Sequence, residues 1–138
     1  MKTDPQTILN VIAQAIYDKK GINILALDVR GVSMLTDFAV IAEGNVDRHV
    51  IAVANAVLMA LKGIGCTPSH VEGLQVGDWV VLDYLDFMVH LFMPGLRDKY
   101  RLEQLWKEGR ICDLRIDTTG SNQDTYASRL SIPRSGEK

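Results

Sequence analysis

The hydrophobic positions of this chain change period several times along its length, and each change marks an element. Asp4 followed by Pro5 has the form of an N-cap with proline at the first helical position. Ile8, Ile12, Ala15 and Ile16 then recur at helical spacing until Lys19-Lys20-Gly21 closes the helix. Ile24-Leu25-Ala26-Leu27 is continuously apolar and too short for a helix, so it predicts a strand buried on both faces, followed by an Asp28-Val29-Arg30-Gly31 loop. Phe38 to Ala42 predicts a second such strand, which stops at Glu43-Gly44-Asn45 and feeds a helix with Asn45 as the expected N-cap. Val50, Ala54, Val57, Leu58 and Leu61 hold the helical period, and Lys62-Gly63 ends it.

The second half has a shorter period. His70-Val71-Glu72, two residues after Pro68, predicts a short edge strand. Trp79 to Leu82 and Phe87 to Phe92 are separated by so few residues that an antiparallel hairpin is expected, with Asp83 and Asp86 bracketing its turn. Pro94-Gly95 breaks the last strand, and Leu96, Tyr100, Leu102, Leu105 and Trp106 predict helical turns packing back on the body. The expectation is one α/β domain over residues 1 to 109, with a mixed sheet of four to five strands. Residues 110 to 138 are expected as a mobile C-terminal tail: Ile111 to Ile116 offers at most a weak extra strand, and the rest is rich in Ser, Thr, Gly and Asn.

Composition narrows the function classes. The chain has 138 residues, of which 47% are hydrophobic, enough to fill one core without disulfide or metal staples. Fifteen basic against 17 acidic residues give a net charge of -2 with no basic run, which argues against direct nucleic-acid binding through phosphates. Cys66 and Cys112 stand apart with no CxxC spacing, so reduced thiols are expected and no metal site. No secretory pattern and no apolar run of membrane-spanning length occurs, and a cytoplasmic location is expected. Four or five apolar strands with only two substantial helices to cover them leave one sheet face short of cover. A hairpin carrying Trp79, Val81, Phe87, Val89 and Leu91 is then expected to present apolar surface to another protein.

The polar residues offer little catalysis. Asp28, Asp37, Asp83 and Asp86 sit at strand ends, where acids or metal ligands occur, but turn and cap roles account for them better. Gly44 to His49 combines a glycine turn with a helix start that suits an anion, yet no Lys-Ser or Lys-Thr follows and Asp47 would repel one. Arg48 and His49 are better suited to pinning neighbouring loops or a partner's acid. His70 and His90 lack a neighbouring nucleophile, and Trp79 and Trp106 fit either core or binding anchors.

Together these residues resemble a known family. Ala26-Leu27-Asp28-Val29-Arg30-Gly31, Ser33, Thr36-Asp37, Gly44 and Arg48-His49-Val50 form one block. Val71-Glu72-Gly73, Asp78 to Tyr84, Asp86, Val89-His90 and Leu102 to Trp106 form a second. In this order they resemble the ribosomal silencing factor (Iojap-like) family over about residues 6 to 107. The resemblance implies a fold related to nucleotidyltransferases, no catalytic residues and no cofactor. It also implies docking on the large ribosomal subunit through large-subunit ribosomal protein fourteen, which blocks subunit joining and lowers translation when nutrients are scarce. Carried over by position, the partner-binding residues are Trp79, Asp83, Tyr84, Asp86, His90 and Met93, with Arg48 and His49 ranked lower. Two departures stand out: Asn45-Val46-Asp47 where Ser or Thr is common, and Leu85 where a glycine is common between the hairpin acids, which bears on the turn because a branched side chain disfavours positive φ. The alternatives to this reading are a nucleotidyltransferase-like enzyme and a purely structural homodimer joined through the hairpin.

Overall fold

The computed structural model describes residues 4–96 and 107–118. The first helix, α1 (Pro5–Asp18), begins as its sequence requires: the Asp4 side chain accepts a hydrogen bond from the Thr7 N–H, and Pro5 occupies the first turn. Strands β1 (Ile22–Asp28) and β2 (Phe38–Glu43) follow, then α2 (Asp47–Gly63), the short β3 (His70–Glu72), and the hairpin of β4 (Trp79–Asp83) and β5 (Phe87–Phe92). A two-residue strand, β6 (Arg110–Ile111), completes a sheet of six strands in the order β3-β4-β5-β2-β1-β6. Among the described strands only β2 and β5 run parallel, and the other neighbours are antiparallel. The central pair is the most apolar, as expected for strands joined by a crossover and covered on both sides.

Helices α1 and α2 lie against one face. Ile12 and Ile16 from α1 and Val50, Val57 and Leu61 from α2 pack with Ile24, Val40, Leu82, Val89 and Leu91 from the strands, all essentially inaccessible. Each such side chain contributes about 2 kcal/mol by leaving water. A second, smaller cluster on the opposite face gathers Leu27, Val29, Ala39, Ile41 and Phe92, with Leu25, Trp79 and Leu96 against it, and neither helix contributes to it.

Three expectations change. Asn45 is not the cap of α2: Val46 holds that position in extended backbone and makes no side-chain cap bond. His49 supplies the missing tie instead, since its Nδ1 accepts from the Asn45 N–H at 2.8 Å while its Nε2 donates to the Lys19 carbonyl at 2.6 Å. Second, the sheet has six strands rather than four to five. Third, residues 110–117, assigned from sequence to the tail, run against the body. β6 pairs with β1, the Cys112 N–H donates to the Ala26 carbonyl, and Gln6, Asn10 and Gln14 of α1 exchange hydrogen bonds with the backbone of Asp113, Arg115 and Asp117. Side-chain amides on an exposed helix face give no periodic signal, so this attachment is invisible to hydrophobic patterning. The helical turns expected around Tyr100 to Trp106 and the tail beyond Thr118 lie outside the described residues.

Candidate protein-binding face

Strand alternation decides which hairpin residues share a face. Phe87, Val89 and Leu91 point toward the helices and are buried, which corrects the expectation that they help form an exposed apolar surface. The opposite face takes Trp79, Val81 and Asp83 from β4 and Met88, His90 and Phe92 from β5, with Trp79 opposite Phe92, Val81 opposite His90 and Asp83 opposite Met88. On β3, His70 pairs in register with Asp83 and Glu72 with Val81, so these two polar residues extend the same face to the sheet edge. The His70 ring and the Glu72 carboxylate approach to 2.6 Å there.

The centre of this face is aromatic. The Trp79 and Phe92 rings stack at 5.2 Å between centroids, and His90 lies 6.3 Å from each of them. The Trp79 indole N–H donates to His90 Nδ1 at 3.3 Å, which requires an imidazole unprotonated at that nitrogen. Burial holds it so: His90 is 5% exposed, and desolvation lowers its pKa from 6.5 to about 4, against a smaller opposing pull from Asp83. Trp79, Val81 and Met88 are half-buried, and Asp83 sets the acidic corner. An aromatic and apolar centre with charged groups at its margin has the anatomy of a protein interface.

Two glycine-type conformations hold the face in place. Gly73 has φ +88°, and a Cβ there would lie 2.1 Å from the Trp79 carbonyl oxygen, so only glycine lets the preceding loop pass so close to β4. In the hairpin turn, Leu85 adopts φ 72° although it is branched. Its N–H is received by Asp83 Oδ1 at 2.8 Å, and the Asp86 N–H reaches back to the Tyr84 carbonyl at 2.8 Å. The turn thus keeps the left-handed position that a glycine would occupy more cheaply.

The expected partner-binding residues divide. Trp79, Asp83 and His90 come together on the face opposite α1 and α2. Tyr84 and Met93 pack instead against the helix-side core. Asp86 sits in the turn, where its carbonyl accepts from the N–H groups of Asp37 and Phe38 at 3.1 and 3.0 Å. His49 is a loop tie, and Arg48 is exposed in the first turn of α2. Asp28 serves locally: it accepts two bonds from the Arg30 guanidinium, at 3.0 and 2.7 Å, and this partner holds its carboxyl below the usual range. Sequence reasoning missed Met88, His70 and Glu72 as members of the face, although counting every second residue along β5 and β3 is enough to find them. It also missed Met34 (99% exposed) and Leu35 in the loop before β2, because a loop has no period to read.

Among the described residues, fold and face define an α/β protein with α1 and α2 on one side of a mixed sheet and an aromatic-centred face on the other. The chain belongs to the ribosomal silencing factor family: a sequence model described as "Ribosomal silencing factor during starvation" matches residues 2–135, so the likeness extends beyond the segment that carries the motifs. It is 35% identical to the Ribosomal silencing factor RsfS of Zymomonas mobilis over 110 residues, covering 80% of this chain and 83% of that protein. Against the protein of the same name from Bacillus subtilis it is 36% identical, covering 79% and 92%. A solved crystal structure of a Chromobacterium violaceum protein superposes with a TM-score of 0.74 at 35% identity, covering 76% of this chain and 88% of that one.

Proposed function

We propose that this protein represses translation by binding the large ribosomal subunit through large-subunit ribosomal protein fourteen and sterically blocking the small subunit, lowering translation under nutrient limitation. One observation carries the reading within a ribosomal silencing family: on the sheet face opposite α1 and α2, half-buried Trp79, Val81 and Met88 lie over the buried His90 and Phe92, with Asp83 and Glu72 at the margin. Desolvation of the half-exposed Trp79, Val81 and Met88 supplies affinity, and the carboxylates complement the basic side chains usual on a ribosomal protein. Tyr84 and Asp86 shape the turn of the hairpin and Met93 its open end, where its N–H donates to the Asp78 carbonyl, and the site of action under this reading is the cytoplasm.

The reading assigns no reaction. Kinship with nucleotidyltransferases, as the resemblance implies it, would lie in the fold. At the glycine turn before α2, the Asn45 N–H that an anion would seek is already taken by His49, and Asp47 adds negative charge in the first turn.

Co-sedimentation with purified large subunits tests the proposal. Trp79→Ala and the charge reversal Asp83→Lys/Asp86→Lys are each expected to weaken binding at least about tenfold with native circular dichroism. Co-sedimentation unchanged in both variants would refute the interface. A homodimer closed through the same face is the competing occupant; light scattering showing a stable dimer that ribosomal protein fourteen does not open would favour it.

A further inference from the structure

The aromatic face holds a polar ring that a docked partner would not touch. His90 is buried, whereas Trp79 beside it is half-buried and keeps part of its ring in contact with solvent. Register explains how the two meet. Trp79 lies directly opposite Phe92 and Val81 directly opposite His90, so Trp79 and His90 are diagonal neighbours across an antiparallel pair, a separation that aromatic side chains bridge. The indole stacks on the Phe92 ring with 27° between planes, and the imidazole lies nearly parallel to that same ring, at 14°. Phe92 therefore serves both rings, but stacking alone leaves an indole free to slide or turn in its own plane. The bond from the Trp79 indole N–H to His90 Nδ1 removes that freedom, because it ties one edge of the ring to an atom held inside the fold.

An imidazole is a costly way to fill such a place. Burying a polar ring forfeits its hydration, and that desolvation, against the weaker pull of Asp83, holds His90 neutral. An apolar side chain of similar volume would pack between the same neighbours without the cost. What it would not supply is an acceptor aimed at the indole N–H.

We propose, on the reading of this face as the docking surface, that His90 is a positioning residue: it acts through Trp79, fixing the indole in the pose that the partner meets. Pre-organisation of this kind raises affinity by cutting the side-chain freedom lost on docking. It also shapes what is recognised. With its N–H engaged inside the fold, Trp79 offers a partner ring surface and no donor.

Full-length parent protein, His90→Leu, His90→Asn, Trp79→Ala and the His90→Leu/Trp79→Ala pair are titrated against purified large subunits by co-sedimentation, with circular dichroism confirming the fold of each. Leucine removes the acceptor and keeps apolar volume, whereas asparagine places its Oδ1 near the position of Nδ1. His90→Leu is expected to weaken binding about fivefold, His90→Asn to stay within about twofold of the parent, and His90→Leu to add nothing once Trp79 is replaced. The Trp79 indole N–H resonance of isotope-labelled protein, assigned by its loss in Trp79→Ala, supplies a readout in which the ribosome takes no part. In His90→Leu it is expected to move upfield and to exchange with water at least about tenfold faster. Parent-like affinity in a folded His90→Leu, an equal loss with and without Trp79, a His90→Asn as weak as His90→Leu despite a retained indole resonance, or a resonance already at the solvent-exposed position in the parent would each overturn the role. Trp79→Ala binding as tightly as the parent would remove the docking surface instead, and the indole resonance would then decide on His90 by itself.

Discussion

The two faces of the sheet are built from the same strands but by different rules. Toward the helices, β4 and β5 contribute Val80, Leu82, Phe87, Val89 and Leu91, aliphatic or phenyl side chains that ask nothing of their neighbours except shape. Toward the other side, residue by alternate residue, the same strands contribute Trp79, Val81, Asp83, Met88, His90 and Phe92, a set containing an indole N–H, an imidazole and a carboxylate. The first face is what the fold needs in order to exist. The second also buries Phe92 and His90, but it mixes them with polar groups that each demand a geometry of their own, and under the proposed function that mixture is what a partner would recognise.

Substitution of adjacent residues is the sharpest way to break this comparison. Leu82→Ala removes a fully buried side chain from the helix side and is expected to cost about 3 kcal/mol in urea unfolding, while Val81→Ala one position earlier is expected to cost less than about 1 kcal/mol. Equal losses would mean that both faces are core. The second contrast is pH. His90 is neutral in the fold, with a pKa lowered to about 4, and binds its proton near 6.5 once unfolded. Stability is therefore expected to fall as pH drops from about 6.5 toward 4, by about 3 kcal/mol at most, and His90→Gln is expected to flatten that window. A profile already flat in the parent protein would show that the imidazole is solvated. The smallest effect concerns the turn that joins the faces: Leu85→Gly relieves a branched residue at φ 72° and is expected to raise stability by about 1 kcal/mol with ribosome binding unchanged.

Much of the candidate face was legible before folding. Trp79, Asp83 and His90 were identified from their place in a motif, and alternation then put them on one side of the sheet. Tyr84 and Met93 belonged to the same motif yet turn toward the helices, because Tyr84 continues the alternation of Val80 and Leu82 and Met93 that of Phe87, Val89 and Leu91. His49 was read as a residue that pins neighbouring loops, and it does so through Asn45 and Lys19, the latter distant in sequence.

Local periodicity in this chain settled what is governed by nearest neighbours: where α1 begins, which runs are strands, and that a hairpin joins β4 to β5. Those features depend on backbone geometry repeating every two residues or every 3.6, and side chains report that repeat directly. Tertiary structure alone decided that β2 and β5 would lie parallel at the centre, that residues 110–117 would run along α1, and that Asp37, Cys66 and Tyr84 would meet around one cavity. Such contacts join residues far apart in the chain, and their energy depends on how whole surfaces fit together, a quantity that no short window of sequence contains.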